Sequence, residues 1–316
     1  MAIAIIGPRS YIAGRIEKAV QARGVGVSLI SMRDKEGQDY NYNGMVRSYK
    51  DIDEEWRQEN KIDCAVLCAS LSAGACEEDE ELAWKINHLR TIETVKRLMD
   101  AGVRRFLYLS TIKVYGDRLH GDITEKTEVR PDSIYAKTHL YAEEDLMKFG
   151  MENGIVVTAL RLSNVFGTPS EPDHAAWRLV ANDFARQIVE QGNVFVRSPA
   201  DSRNFLPMSF LLIVLERWIE ERLAPERSET FNVGGPLVMQ MNELSILMKC
   251  VFEKGRSQET IQYIASEIER NRDSQAFVYS IDKLLGCLEM MRVDPVVCLG
   301  EEMLGLLASV RSIKGK

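Results

Sequence analysis

The first half of this chain is constrained above all by alternation. Short apolar runs at Ala2 to Ile6, Val27 to Ser31, Ala65 to Ala69 and Phe106 to Leu109 are separated by stretches of helical periodicity, notably about Ile12 to Arg23 and Glu80 to Ala101. A strand, a helix and a second strand in succession require a crossover connection, and crossovers lay strands parallel. Gly24 and Gly102 stand just past the predicted helices, where a left-handed C-cap favours glycine. Another helix is predicted from about Ser133 to Asn153, stopped by Gly154 ahead of the apolar run Ile155 to Leu160. After Gly167 the pattern gives way to the turn-rich Thr168-Pro169-Ser170-Glu171-Pro172-Asp173, then to mixed helices and short strands.

The expected architecture is therefore α/β. A doubly wound parallel sheet of the Rossmann kind occupies residues 1–167 and a smaller mixed α/β C-terminal substrate lobe residues 168–316, with some interleaving of segments. The first strand runs into Gly7-Pro8-Arg9-Ser10-Tyr11-Ile12-Ala13-Gly14, where a dinucleotide fold places glycines for a tight turn and close approach to a pyrophosphate. Only Gly7 is clearly in place, with Ser10 and Ala13 at the later positions, but small residues keep the approach open. The helix N-terminus still offers free amides and a positive dipole end. Gly7, Ser10, Tyr11 and Ile12 are thus candidate cofactor contacts. The second strand ends in Ser31-Met32-Arg33 rather than in the acid that would receive a ribose 2′-hydroxyl. A hydroxyl followed by a guanidinium suits a 2′-phosphate, which favours NADP over NAD; the plainer alternative is a solvated Arg33.

Several other classes are excluded. A net charge of −7 supplies no broad basic field for nucleic acid or anionic lipid. The N-terminus runs directly into the first strand with no basic leader, so a cytoplasmic protein is expected. The longest apolar run, Phe205 to Ile219, contains Pro207, Glu216 and Arg217, and reads as a buried segment entering an amphipathic helix, not a membrane span. Cys64 and Cys68 fall on a predicted strand, where four residues separate them by about 13 Å, too far to share a zinc ion. No metal site is expected, and the six cysteines read as thiols in a reducing compartment.

The fifth strand ends in Leu109-Ser110-Thr111-Ile112-Lys113-Val114-Tyr115-Gly116, and twenty residues after Tyr115 comes Tyr135-Ala136-Lys137-Thr138-His139-Leu140-Tyr141-Ala142-Glu143. With these segments the chain resembles the extended short-chain dehydrogenase/reductases, the family of nucleotide-sugar epimerases, dehydratases and 4-ketoreductases. Further pieces follow in family order. Asp51-Ile52 matches the pair beside the adenine, Ala69-Ser70 follows the fourth strand, Asn87 lies in the next helix, and Arg161-Leu162-Ser163-Asn164-Val165-Phe166-Gly167 comes later. In the second lobe, Arg203-Asn204-Phe205 is similar to a segment whose Arg contacts the substrate diphosphate, and Asn232-Val233-Gly234-Gly235 follows. Arg270-Asn271-Arg272-Asp273 resembles the segment that reaches the nucleotide, and Leu285-Gly286 with Pro295 resembles the family's C-terminal motif. The resemblance implies an NAD(P)-dependent oxidoreductase or epimerase acting on a nucleotide sugar. Its cofactor contacts would include Asp51, Ile52, Ala69, Ser70 and Asn87, and its substrate contacts Asn164, Arg203, Arg270 and Asp273. It also implies a homodimer formed through the two long helices.

Moving hydride to or from a carbonyl carbon requires a group that exchanges a proton with the oxygen. The resemblance assigns that proton to Tyr135, aided by the hydroxyl of Thr111. The family's Lys, four residues on, is here His139. Lys137 does not replace it, because two residues along a helix turn a side chain about 200° away, whereas four return it to the same face. The family Lys holds the nicotinamide ribose and lowers the Tyr pKa by its charge. A His can donate to the ribose but is largely neutral at pH 7. Three readings stay open: His139 as a tuned substitute, Tyr135 used only as an acid toward a ketone, or a catalytically impaired member that binds dinucleotide for a structural or regulatory role. Ile112 and Lys113 stand where the family's dehydratases carry an acidic pair, and Lys113 where its double-epimerising reductases carry a Cys. Both chemistries are disfavoured, which leaves 4-ketoreduction or 4-epimerisation.

Overall fold

A computed structural model describes residues 2–32, 46–171, 174–221, 223, 225–255, 259, 262, 266, 276–288 and 294–314. The first elements are β1 (Ala2–Ile6), α1 (Tyr11–Gln21), β2 (Gly26–Ser31), β3 (Val46–Ser48), α2 (Glu54–Asn60) and β4 (Ile62–Leu67). Next come α3 (Ala73–Glu78), α4 (Glu80–Ala83), α5 (Arg90–Asp100), β5 (Arg105–Thr111), β6 (Gly121–Ile123), α6 (Ile134–Asn153) and β7 (Val156–Leu162). The remainder is β8 (Asn164–Phe166), α7 (Val180–Gln191), β9 (Ser202–Pro207), α8 (Met208–Ile219), β10 (Glu229–Val233), β11 (Val238–Gln240), α9 (Met241–Lys254), β12 (Phe277–Tyr279), α10 (Asp282–Leu288) and α11 (Pro295–Lys314).

The chain forms two compact units. The first comprises Met1–Asp117, Glu128–Arg161 and Glu216–Phe231, the second Arg118–Thr127, Leu162–Leu215 and Asn232–Lys316. In place of a single boundary at residue 167, the main passage lies between Arg161 and Leu162, and the chain returns later. The reason is strand pairing. The first unit's sheet has the order β10-β7-β5-β4-β1-β2-β3, so a strand from late in the sequence closes its edge. Pairing is parallel where β1 meets β2 and β4, where β2 meets β3, and where β4 meets β5. Every residue of β1 is buried, as a strand covered on both faces requires. The helix predicted from Glu80 to Ala101 contains a π-helical stretch, Trp84–Leu89, between α4 and α5, a wide turn of the kind that re-aims side chains.

The second unit holds a three-stranded sheet in the order β11-β9-β8, with β9 antiparallel to β11 and parallel to β8, and a separate parallel pair of β12 with β6. Phe166, Phe184, Phe205, Met248 and Leu306 are buried together in its core. A Cβ on Gly235 would collide with the Phe205 carbonyl, and Asn204 clamps the same turn by accepting from Gly235 N at 2.7 Å and donating to its carbonyl at 2.9 Å. The apolar run that reads as a helix start is the end of β9 and α8. No described helix is long and apolar enough to cross a membrane.

Candidate active site

β1 has β2 on one side and β4 on the other, so the strand order reverses between β1 and β4, the place where open α/β sheets bind ligands. Gly7 and Ala69 flank that point. Gly7 has φ +86°, and an added Cβ would lie 2.6 Å from the Ala69 Cα, so glycine is required on two counts. Ser10 N-caps α1, its Oγ accepting from Ala13 N at 3.1 Å, while Tyr11 and Ile12 form the first turn half-buried. Gly7 thus lets the turn after β1 lie close against Ala69, and the N-terminus of α1 that follows it supplies the free amides and positive dipole end that suit the pyrophosphate of a dinucleotide.

The other predicted cofactor residues divide. Ser31 is buried at the end of β2, and Arg33 lies outside the described residues. Asp51 closes a short 3₁₀ turn whose carbonyl accepts from Arg47 Nε at 2.6 Å. Ile52 packs into the core with Trp56 and Ile62. Ala69 is half-buried and Ser70 exposed. Asn87 is buried, and its amide is used within the protein: Oδ1 accepts from Leu71 N at 2.7 Å, and Nδ2 donates to Thr138 Oγ1 at 3.1 Å and to Cys76 Sγ at 3.4 Å. It therefore positions the loop after β4 against α6.

Ser133 N-caps α6 by accepting from Ala136 N at 3.2 Å, and helical spacing then places Tyr135, His139 and Glu143 in one stripe. Tyr135 is half-buried, with its phenol hydrogen-bonded to the Thr111 side chain. Burial pushes that phenol up to about 12, the Thr111 bond pulling the other way. The His139 ring lies 4.5 Å from the Tyr135 ring, centroid to centroid. Its Nδ1 is 2.9 Å from the Tyr108 hydroxyl, and its Nε2 is buried without a hydrogen-bond partner. Burial pushes His139 down to about 4, so the structure joins the three predicted catalytic residues around an uncharged imidazole.

This buried imidazole has a consequence for stability. Unfolded His139 takes up a proton near its ordinary value of about 6.5, whereas the folded protein holds it neutral down to about 4. Its contribution is present above pH 6.5 or so and is lost as pH falls through that window, by about 3 kcal/mol in total. Denaturant midpoints measured from about pH 7 to about pH 4 should fall less steeply for His139→Gln than for the natural chain. Identical slopes would remove His139 as the cause.

A second stratum of the site has no counterpart among the predicted residues. The buried Glu143 carboxylate accepts from Ser110 Oγ at 2.6 Å and from Arg161 Nη2 at 2.6 Å and Nε at 3.0 Å. Arg161 Nη1 donates to the Tyr115 hydroxyl at 2.8 Å, and its guanidinium lies 4.9 Å from that ring's centroid. β5, which ends in Thr111, the turn after it, α6, which carries Tyr135, and β7 are thereby fastened together. The available signal was the spacing of Glu143, one helical turn beyond His139.

In the second unit Arg203 lines a cavity of about 480 Å³ with Arg178, Arg186, Arg197, Asp183 and Phe195. Asp183 holds Arg186 at 2.6 Å, while among the described residues no ion pair engages Arg178, Arg197 or Arg203. Such a cavity can hold a polyanion with an attached ring. Asn164 donates to the Asn204 carbonyl at 2.9 Å, bracing β8 against β9. Arg270 and Asp273 lie outside the described residues. His174 accepts from Ala176 N at 3.0 Å at the start of a 3₁₀ turn.

The chain matches the NAD dependent epimerase/dehydratase family over residues 3–209. Mouse dTDP-D-glucose 4,6-dehydratase is 24% identical over 201 residues, 63% of this chain and 54% of that protein. The chain thus spans about half the length of this curated relative. Among solved structures, UDP-glucose 4-epimerase from Thermotoga maritima, with UDP-glucose, superposes with a TM-score of 0.75 at 18% identity, covering 99% of this chain and 100% of that one. RMD from Pseudomonas aeruginosa, complexed with NADPH, gives 0.74 at 18% identity, covering 99% of each chain.

Proposed function

The chain belongs to the NAD dependent epimerase/dehydratase family, and on that premise we propose that it is an NADPH-dependent 4-ketoreductase of a nucleotide sugar. The observation that carries this reading is the Tyr135 phenol, hydrogen-bonded to Thr111, packed 4.5 Å from the buried His139 ring in place of a cation, in surroundings that favour the neutral form of both groups. Reduction needs a protonated phenol to quench the forming alkoxide, and Tyr135 is held in that state. Alcohol oxidation, the opening step of an epimerisation, needs the phenolate, which the burial of Tyr135 disfavours. A bound nicotinamide dinucleotide supplies the hydride. Gly7 and the start of α1 receive its pyrophosphate, Thr111 orients the substrate carbonyl, and Tyr135 delivers the proton.

Elimination is disfavoured although a dehydratase is among the relatives, because Ile112 is buried and Lys113 is paired with Asp117 at 2.7 Å. Neither position carries the carboxyl group that an acidic pair would supply. The arginines around Arg203 suit the diphosphate, with Phe195 available to the base. NADPH is favoured by Ser31 where a 2′-hydroxyl acceptor would otherwise stand.

The test is purified protein with NADPH, then NADH, against a panel of 4-keto sugar nucleotides, reading absorbance loss and product mass. Consumption with NADPH upholds the reading. Interconversion of 4-epimers without net cofactor consumption assigns an epimerase, and tight cofactor binding with neither reaction assigns an impaired binder.

A homodimer through the α4–α5 and α6 region completes the proposal. Leu89 is 59% exposed and Tyr141 51% exposed there, an apolar face that a second copy would cover. Sedimentation at the mass of two chains is expected; a monomer at micromolar concentration would count against it.

A further inference from the structure

Tyr108 lies on β5 and is 2% exposed, a phenol placed inside the sheet-to-helix layer, where polar groups are tolerated only when bonded. Its hydroxyl lies 2.9 Å from the His139 Nδ1, where the tautomer decides which group donates, and 3.4 Å from the His139 carbonyl, which can only accept. One hydroxyl carries one proton, the ring nitrogen is the nearer of the two partners, and a proton given to it makes Nδ1 the acceptor. Burial, reinforced by the Glu143 carboxylate, holds the Tyr108 phenol well above its usual range, so it remains a donor. A neutral imidazole that accepts at Nδ1 carries its own proton on Nε2. That Nε2 is buried and has no partner in the protein, one helical turn from Tyr135.

We propose that Tyr108 is a positioning residue that fixes His139 as the Nε2–H tautomer, presenting a neutral hydrogen-bond donor to a sugar hydroxyl of the bound ligand. The hydroxyl belongs either to the ribose of the cofactor or to the sugar of the substrate. The uncharged pair thus takes over the positioning half of what a Lys would do at 139 and leaves the electrostatic half undone. This inference rests on the proposed reductase reading for the identity of its ligand, but the tautomer itself does not.

The experiment is ¹⁵N NMR of the full chain with labelled histidine, the His139 ring assigned by its loss in His139→Gln. The free protein should show a protonated Nε2 and an unprotonated Nδ1. Addition of NADP⁺ alone, or of UDP-glucose alone, should move the Nε2 resonance, and whichever does so identifies the source of the hydroxyl. In Tyr108→Phe the ring should become a mixture of tautomers, with kcat for ketone reduction falling about tenfold and KM for the sugar nucleotide little changed. A protonated Nδ1 in the natural protein overturns the proposal, as does an Nε2 resonance that neither ligand moves. Unchanged tautomer and kcat in Tyr108→Phe also overturn it. Should that variant not fold, the spectrum of the natural protein still decides the tautomer. An Nε2–H tautomer in a protein that reduces no ketone upholds the pair and overturns only the reaction assigned to the site.

Discussion

Tyr135→Phe is expected to lower kcat for ketone reduction by about 10²- to 10⁴-fold, the usual contribution of a positioned general acid. The substitution removes one oxygen and leaves the ring, so the 4.5 Å packing against His139 is retained, and cofactor affinity should change little. What is lost is the phenol proton at the Thr111 side chain. Thr111→Val should cost less, because it removes an orienting bond and not the acid. The pH profile is a second discriminant. With the phenol raised to about 12 and His139 neutral down to about 4, neither group titrates between about pH 6 and about pH 9, and kcat should be flat there. A reductase that relied on a cationic His139 would lose rate as pH rose through 6 to 7 or so. Single-turnover measurement across this range separates the two, and a Tyr135→Phe enzyme within a few-fold of the natural one would place the acid elsewhere.

The elements that alternate in sequence are those the structure forms: β1, β2, β4 and β5 interleaved with α1, α5 and α6. Their hydrophobic period is a local property, which is why it reads from the chain directly. The return of β10 to the sheet edge is not local. Five residues, Glu229–Val233, pair with a strand some seventy positions earlier, and nothing in their pattern names the partner. The same distinction divides the site. That Thr111, Tyr135 and His139 lie together is legible because a strand end and two positions on one helix face are fixed by local spacing. The bonds from Asn87 to Leu71, Thr138 and Cys76 are made across elements, and its place in a helix does not announce them. Glu143 and Arg161 are the sharpest case. In sequence a Glu and an Arg read as surface charges, the usual fate of both, and only the fold reveals that they are 3% and 8% exposed.

That burial makes Glu143 the position where a single substitution should do most damage to stability. An Arg and a carboxylate taken out of water each lose hydration worth several kcal/mol, restored here by their mutual bonds and by those from Ser110 and Tyr115. Glu143→Ala removes the carboxylate that accepts from Arg161 Nε and Nη2 and leaves the buried guanidinium without that counter-charge, at a cost of about 3–5 kcal/mol. The Glu143 carboxylate holds the guanidinium's proton more firmly than an isolated Arg would, so Arg161 cannot relieve the strain by giving it up in the natural protein. Glu143→Gln keeps an acceptor and the volume and should lose less, while Glu143→Leu combined with Arg161→Met removes both charges together. If the uncompensated charge is the cause, the double variant recovers most of the loss despite deleting more native bonds. Urea midpoints of the four proteins decide it. Were the double variant as unstable as the sum of its two single changes, the loss would come from packing and hydrogen-bond geometry, and the Glu143 network would be a shape constraint instead of an electrostatic one.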